Sequence, residues 1–546
     1  MSATPVIEPA VHPCIVLCTL NAKYIHASLG LRYLLANMGE LRGQTLLREF
    51  TIARKPQELA GELLALNPQV IGFGVYIWNV TQTCEVVRLL KAQRPGIKIA
   101  LGGPEVSHEV DQQLATLKSI VQLADHVITG WGDVSFPKLC RALLYGPQPL
   151  MKIIAGEQSP LEQITLPYGE YSEADLAHRV LYVEASRGCP FKCEFCLSSL
   201  DKTAWAFDLD AFLIELETLY QRGARTFKFV DRTFNLKIDS SIRILQFFLD
   251  RLARCGNQIF IHFEVIPDHL PDRLKEKIAE FPSGVLQFEI GIQTFNVEVQ
   301  QRISRRQDND KTAANITWLV EHSNAHLHTD LIFGLPGESM QSFAQGFDRL
   351  YALKPHEIQL GILKRLRGTP IARHTAEYGM VYETEPPYTV QQTSAVTAKE
   401  MQRFTRLARY WDLIANSGRF TVTLQALLST KGQSQGNEGS KGAGDSPFQA
   451  FLDLSDWLWQ HTQTTGHLTP EALVDALFDY LCTKVAIAPA LARAWLLADY
   501  LKSGARASPR ALKKVLPRQS APLAKTPRQL AARQQRHEAV PDVTPT

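Results

Sequence analysis

Short apolar runs alternate with amphipathic segments through most of the chain, and the first five runs are continuous rather than alternating. Cys14 to Thr19, Leu46 to Thr51, Val70 to Trp78, Ile97 to Leu101 and His126 to Thr129 read as strands, with helices between them near 28–38, 56–66, 80–93, 109–118 and 134–145. Continuous apolar strands are what a parallel sheet covered on both faces requires. Residues 1–150 are therefore expected to form a doubly wound α/β sheet. Gly102-Gly103-Pro104-Glu105 and Gly130-Trp131-Gly132-Asp133 fall just past the fourth and fifth strands. Sheets of this kind bind ligands at that carboxyl edge.

Residues 151–178, with Pro160, Pro167 and Gly169, read as a linker. Beyond it, strands are expected at Val180 to Ala185, Thr226 to Val230, Ile259 to Ile266, Leu286 to Ile292, His326 to Ile332 and Glu357 to Leu363, each followed by a helical segment. Six such units predict a partial (β/α)6 barrel over residues 179–380, with active groups at strand C-terminal ends. Residues 381–502 read as mainly helical, interrupted by a Gly/Ser-rich linker at 429–446. Trp457, Trp459, Leu473, Leu477 and Trp495 suit a core stripe there.

Charge divides unevenly. The whole chain carries +3, but ten Lys or Arg stand against Glu538 and Asp542 from Lys502 onward, so the body is near −5. That end, 503–546, lacks aromatic residues and reads as a disordered basic tail, with no stacking residues to make nucleic acid the expected partner. Nine scattered Cys suit a reducing compartment, and the N-terminal apolar run is too short for a signal or membrane helix, so a cytoplasmic protein is expected with no membrane partner.

The sharpest chemical signal is Ser186-Arg187-Gly188-Cys189-Pro190-Phe191-Lys192-Cys193-Glu194-Phe195-Cys196, a C-x-x-x-C-x-x-C spacing. Three close thiols suit a metal or iron-sulfur site better than a disulfide, and three thiolates on a 4Fe-4S cluster leave one iron open. A zinc site lacking its fourth ligand and three unrelated cysteines are the bland alternatives. With Gly188 and Pro190 around Cys189, and Phe195 before Cys196, the motif resembles the signature of the radical S-adenosylmethionine (SAM) enzymes. The resemblance implies Cys189, Cys193 and Cys196 as cluster ligands. It also implies SAM on the open iron, reductively cleaved to a 5′-deoxyadenosyl radical, with reduced flavodoxin or ferredoxin as electron donor.

The other strand ends extend the resemblance. Val230-Asp231-Arg232-Thr233-Phe234 is similar to the D-x-x-F turn of cobalamin-dependent and porphyrin-type members. Gly291-Ile-Gln-Thr-Phe-Asn with Arg302 and Arg305, and Asp330-Leu-Ile-Phe-Gly-Leu-Pro, resemble oxygen-independent coproporphyrinogen oxidase. By that resemblance Phe195, Asp231, Glu264, Gln293, Arg305 and Asp330 bind the cofactor, with Arg305 answering the SAM carboxylate.

A flavodoxin-like sheet ahead of this motif resembles the cobalamin-binding domain of the family's cobalamin-dependent branch, in the group with an uncharacterised C-terminal domain. Gly102 and Gly103 match its glycine pair and would contact cobalamin. The Asp-x-His-x-x-Gly cobalt-ligand motif does not match: the loop reads Asn21-Ala22-Lys23-Tyr24-Ile25-His26, and His26 at that spacing suits a loop or helix-start role. Tyr76 to Asn79 could equally pack a corrin or seal an interface. The resemblance implies methylation of an unactivated carbon in a small molecule or peptide. Cyclisation, rearrangement or oxidation without methyl transfer is the alternative, and an iron-sulfur redox sensor or scaffold is the non-enzymatic one.

Overall fold

Strand β1, Ile15–Asn21, is buried along its whole length, and its side chains divide by parity between two cores. Val16, Cys18 and Leu20 enter one apolar cluster and Ile15 and Leu17 the other. That is how a continuous apolar run becomes a strand covered on both faces. A computed structural model describes residues 13–109, 115–201, 203–255, 258–429, 446–503, 507–516 and 536–537. The chain divides into two compact units, Met1–Arg232 with Lys364–Ala372 and Tyr382–Thr389, and Thr233–Leu363 with Arg373–Val381 and Val390–Thr546.

The first unit opens with six parallel strands. β2 is Thr45–Thr51, β3 Val70–Gly74, β4 Lys98–Gly102, β5 His126–Thr129 and β6 Ile153–Ala155, in the order β2-β1-β3-β4-β5-β6. Helices α1 (Leu29–Ala36) and α5 (Ser135–Tyr145) supply one core, and α2 (Pro56–Ala65), α3 (Val80–Gln93) and α4 (Ala115–Leu123) the other. β3 stops four residues before the expected Trp78. The Asn79 amide folds back onto the Thr19 hydroxyl and the Leu20 and Gly74 carbonyls at 3.1–3.2 Å, turning the chain into α3.

Residues 151–178 differ from the linker expected. They contribute β6 and α6, Glu173–His178, and bury Leu161, Ile164, Tyr168 and Tyr171. A buried ion network fastens α6: Arg32 pairs with Glu49 and Asp175 at 2.8 Å each, and Arg179 with Glu49 at 2.6 Å and Asp175 at 3.1 Å. The unit continues through β7 (Leu181–Val183), β8 (Ser186–Arg187), β9 (Trp205–Ala206), α7 (Leu209–Gln221) and β10 (Thr226–Phe229), with β10 parallel to β7.

In the second unit β11 (Phe260–Val265), β12 (Leu286–Gln293), β13 (His326–Phe333) and β14 (Glu357–Ile362) pair in parallel sequence, with helices α8 (Ile238–Cys255), α9 (Asp272–Ala279), α10 (Val297–Arg302), α11 (Asn309–His322) and α12 (Met340–Ala352) before and between them. Burial alternates along β12, with Leu286, Phe288, Ile290 and Ile292 buried and the residues between them half-buried. The register aligns Glu264 with Glu289 and Glu289 with His328, so one face of these strands is polar. All six strands expected beyond residue 179 are present, two in the first unit and four in the second.

Helices α13 (Ala398–Ile414), α14 (Thr421–Ser429), α15 (Pro447–Thr462), α16 (Pro470–Thr483) and α17 (Pro489–Lys502) form the C-terminal part. Trp457, Leu473 and Leu477 are buried there, while Trp459 and Trp495 are half-buried. The Gly/Ser-rich linker lies almost wholly outside the described residues. The expectation of a disordered tail fails for 507–516: Leu512 is buried, the Ala511 amide donates to Asp475 at 2.8 Å, and Arg510 pairs with Asp479 at 2.6 Å. Two apolar residues and two acidic partners on α16 are enough to dock that segment.

Candidate functional site

Two short strands close the neck of the loop that holds the three cysteines. β8 and β9 pair antiparallel, Ser186 opposite Ala206 and Arg187 opposite Trp205. The Phe207 amide adds a bond to the Ala185 carbonyl at 3.0 Å. Gly188 enters the loop at φ +87°, where a β-carbon would stand 2.8 Å from the Thr203 hydroxyl and 2.9 Å from the Ala204 nitrogen. A side chain there would meet both strain and overlap.

Within the loop the Cys189 amide donates to the Asp201 carbonyl at 3.0 Å, and the Cys196 amide to the Cys193 carbonyl at 3.2 Å. Burial pushes the Cys189 thiol up from its ordinary value and the Phe191 amide pulls it down. Cys196 and Cys193 push it up again, and Arg232 opposes them. Cys193 and Cys196 thus both act on the Cys189 thiol. Phe195 is half-buried between the last two of them. Among the described residues no three His, Cys, Asp or Glu side chains converge on a position for a single metal ion.

Asp231 anchors the neck. Its carboxylate accepts from the Ala185 amide at 3.0 Å and the Ser186 hydroxyl at 2.6 Å, while burial pushes its pKa up to about 7 against those two bonds. Both oxygens thus have partners inside the chain.

At the carboxyl edge of the first sheet lies a cavity of about 330 Å³ between the ends of β3, β4 and β5 and helix α1. Leu31, Leu34, Phe73, Leu101, Ile128 and Phe136 make its apolar wall, and Gly102 and Gly103 both line it. Gly103 has φ +106°, and a β-carbon on it would stand 2.5 Å from the Val75 carbonyl oxygen and 3.0 Å from the Val75 nitrogen. Its glycine is required by the main chain of the neighbouring strand end. His26 is not part of the lining: its Nδ1 lies 2.8 Å from the Tyr182 hydroxyl and its backbone bridges to Val180. Tyr76 lines the cavity and stacks on the exposed Trp78 at 4.5 Å.

The remaining wall is polar and belongs partly to the cysteine loop. Tyr33, Trp131, Asp133, Glu184 and Arg187 all face the cavity. Arg187 donates to both Asp133 oxygens at 2.8 and 3.1 Å and to Glu184 at 2.8 Å. Its guanidinium sits over the rings of Tyr33 at 4.3 Å and Trp131 at 5.0 Å. Burial alone would lower the Arg187 pKa; the Glu184 and Asp133 carboxylates outweigh it, so the group stays charged. Trp131 Nε1 donates to the Asp201 carboxylate at 3.1 Å.

The second unit holds the other expected residues. Glu264 and Asp330 stand half-buried on β11 and β13, Asp330 level with Gly291 of β12. Gln293 ends β12 at φ +71°, beside a register shift against β13. Arg305 donates to the Gly291 carbonyl and to Gln307 at 2.9 and 3.1 Å. Gln293, Arg305 and Asp330 thus gather about one point of β12, Gly291, and Glu264 lies on the neighbouring strand. Glu338, two residues past the Asp330–Pro336 run, was not singled out from the sequence. It is almost fully buried, accepts from the Thr294 hydroxyl at 2.5 Å, and burial pushes it up to about 7.

Family models now match this geometry in three stretches: the B12 binding domain over residues 15–140, the radical SAM superfamily over 183–350, and a protein of unknown function family (DUF4080) over 376–545. The chain thus carries a B12-binding domain followed by a radical SAM domain. It is similar to 2-(S-pantetheinyl)-carbapenam-3-carboxylate methyltransferase of Streptantibioticus cattleyicolor, 24% identical over 329 residues, covering 55% of this chain and 47% of the relative. It is also similar to the cobalamin-dependent radical SAM methyltransferase TokK of Streptomyces tokunonensis, 23% identical over 341 residues, covering 56% and 48%. The match spans about half the length of each relative. Among solved structures, the cobalamin-dependent SAM radical enzyme OxsB matches with a TM-score of 0.59 at 12% identity, covering 92% of this chain and 82% of that one.

The residues of these two domains fit the groups the domains imply. Three thiols within eight residues on a tightly pinned loop suit a cluster, and an apolar cavity floored by glycine at a sheet edge suits the tail of cobalamin. The polar wall was not foreseen. Asp133 pairs with Arg187 across 54 residues, and Glu184 stands just ahead of the cysteine motif; the only local hint was an arginine two places before the first cysteine.

Proposed function

We propose that the chain is a cobalamin-dependent radical SAM enzyme that methylates an unactivated carbon of a small molecule or peptide. One observation carries the reading: Glu184 and Arg187, just ahead of Cys189, are also wall of the cavity at the B12-type sheet edge. The methyltransferase names of two relatives support methyl transfer. When bound, the cluster with SAM supplies a 5′-deoxyadenosyl radical and cobalamin supplies a methyl group.

The protein's own residues hold and orient these groups. Cys189, Cys193 and Cys196 would each take an iron, leaving the fourth for SAM. Phe195 would pack against the nucleoside. Arg305 would meet the SAM carboxylate and Glu264, Gln293 and Asp330 its polar remainder. Asp231 fixes the neck of the cysteine loop, and Gly102 and Gly103 give the cobalamin tail a wall without side chains. No disulfide joins the described cysteines, which suits the reducing cytoplasm, where reduced flavodoxin or ferredoxin is the electron donor. Among the described residues no helix is long and apolar enough to cross a membrane.

The test is anaerobic reconstitution with iron and sulfide, followed by chromatographic assay of 5′-deoxyadenosine and S-adenosylhomocysteine with and without cobalamin. Formation of both, the second only with cobalamin, is expected. Deoxyadenosine alone would point to cyclisation, rearrangement or oxidation, and neither product to a sensor or scaffold.

A further inference from the structure

The wall between the cavity and the cysteine loop is a single hydrogen-bonded assembly within the first unit. Asp201 stands at its centre. One carboxylate oxygen accepts from Trp131 Nε1 at 3.1 Å, and the other from the Thr203 amide and hydroxyl at 3.1 and 2.6 Å. Its own carbonyl accepts from the amide of Cys189 at 3.0 Å. The same residue therefore holds a ring that lines the cavity and the backbone of the first cysteine. Trp131 in turn packs edge-on against Trp205 at 5.7 Å and lies under Arg187 at 5.0 Å. Trp205 and Arg187 face each other across the neck of the loop.

We propose that Asp201 and Trp131 are positioning residues that couple the two cofactor sites, so that cobalamin in the cavity favours the loop geometry that holds the cluster, and the cluster favours cobalamin. This rests on the reading that the cavity takes the cobalamin tail and the three cysteines a cluster. Displacing Trp131 breaks its bond to Asp201, and shifting Asp201 pulls the Cys189 amide, because Thr203 and Gly188 leave that turn no slack. Shifting one member of a hydrogen-bonded network shifts the groups bonded to it. Binding at either site thereby restricts the same loop, and linkage makes the effect reciprocal: the factor by which cluster strengthens cobalamin binding equals the factor by which cobalamin strengthens cluster retention.

The experiment uses the full chain in two forms, reconstituted with iron and sulfide or stripped of iron by a chelator, and titrates each anaerobically with hydroxocobalamin, followed by equilibrium dialysis and absorbance. The reconstituted wild type is expected to bind at least about 5-fold more tightly than the stripped form, the lower end of ordinary coupling. Asp201 is not itself part of the cavity lining, and Asp201→Ala removes no lining side chain and no cysteine sulfur. It should leave binding to the stripped form within about 2-fold of wild type and bring the ratio close to one. Trp131→Phe keeps a ring and loses the N–H; it should reduce the ratio similarly, and the double variant no further, since the two act through one bond. If Asp201→Ala does not fold, Trp131→Phe carries the test alone. A wild-type ratio of one, or an undiminished ratio in a folded variant, overturns the coupling while leaving the cofactor reading intact. A wild type that takes up no cobalamin in either form overturns the cofactor reading, and the coupling falls with it.

Discussion

Gly103 and Gly102 are adjacent, line the same cavity, and should respond oppositely to alanine. At Gly103 the added carbon would stand 2.5 Å from the Val75 carbonyl oxygen and 3.0 Å from its nitrogen, both main-chain atoms of a strand end that cannot rotate away. The φ of +106° adds backbone strain of about 1–3 kcal/mol for a residue with a β-carbon. Relieving the overlap requires shifting the ends of β3 and β4, which costs about 1–3 kcal/mol more, as other overpacked sites do. A total of roughly 2–6 kcal/mol corresponds to a fall in melting temperature of roughly 5–20 °C for a unit of this size. At Gly102 the nearest atom to an added carbon is the Ile128 carbonyl oxygen at 3.8 Å, an ordinary contact. Gly102→Ala should melt at or slightly above the wild type, since alanine restricts the unfolded chain, yet bind cobalamin more weakly because it narrows the cavity. Calorimetry of the cofactor-free proteins and cobalamin titration separate the two effects. Gly103→Ala melting within about 2 °C of wild type would refute the reasoning, as would a Gly102→Ala that falls equally far.

Cys193→Ala should abolish 5′-deoxyadenosine formation and most of the iron bound after reconstitution; unchanged production would dismiss the cluster assignment. The Asp231 pKa is raised from an ordinary 3.8 to about 7, so the folded state holds that proton more tightly than the unfolded chain. Stability from this group is present below about pH 4 and is lost as pH rises toward 7; denaturant midpoints of the cofactor-free protein should show that slope, and Asp231→Asn should flatten it. Arg32, only 2% exposed, answers both Glu49 and Asp175, so Arg32→Ala should cost about 3–5 kcal/mol by leaving buried carboxylates short of a partner, read by urea unfolding.

The strands of the first sheet were legible because each face of β1 enters its own core, which forces apolar residues at every position. What escaped was set by contacts distant in sequence. β3 ends early through the Asn79 amide reaching back 59 and 60 residues to β1, rather than through any breaker near Gly74. β6 has three residues, too few for any period to appear. The short turns near Pro167 look like linker in composition, yet the Tyr168 hydroxyl accepts from the Glu184 amide at 3.0 Å and the Tyr171 hydroxyl from the Tyr182 amide at 3.1 Å. The site divides likewise. Three cysteines within eight residues announce themselves. Arg187 and Asp133 lie 54 residues apart, and Trp131 and Asp201 lie 70 apart. Each of these residues alone has an ordinary surface or core explanation, and only the fold makes them one wall.

The cavity glycines show why a motif and a ligand contact are different claims. A β-carbon on Gly72 would lie 2.6 Å from the Phe136 ring, and one on Gly103 would meet Val75, so packing within the sheet already demands both. Neither is an argument for a ligand. Gly74 and Gly102 would meet nothing closer than 3.5 and 3.8 Å, so packing does not explain why these positions have no side chain. Both line the cavity at adjacent strand ends, where the sheet order places β3 beside β4. Missing side chains that the fold does not require, beside a cavity walled on one part by apolar residues and on another by the paired Asp133–Arg187–Glu184 group, leave room for a ligand with an apolar body and a polar edge. The proposed site for the cobalamin tail therefore rests more on Gly74 and Gly102 than on the conspicuous Gly103, and substitutions there test occupancy without disturbing the fold.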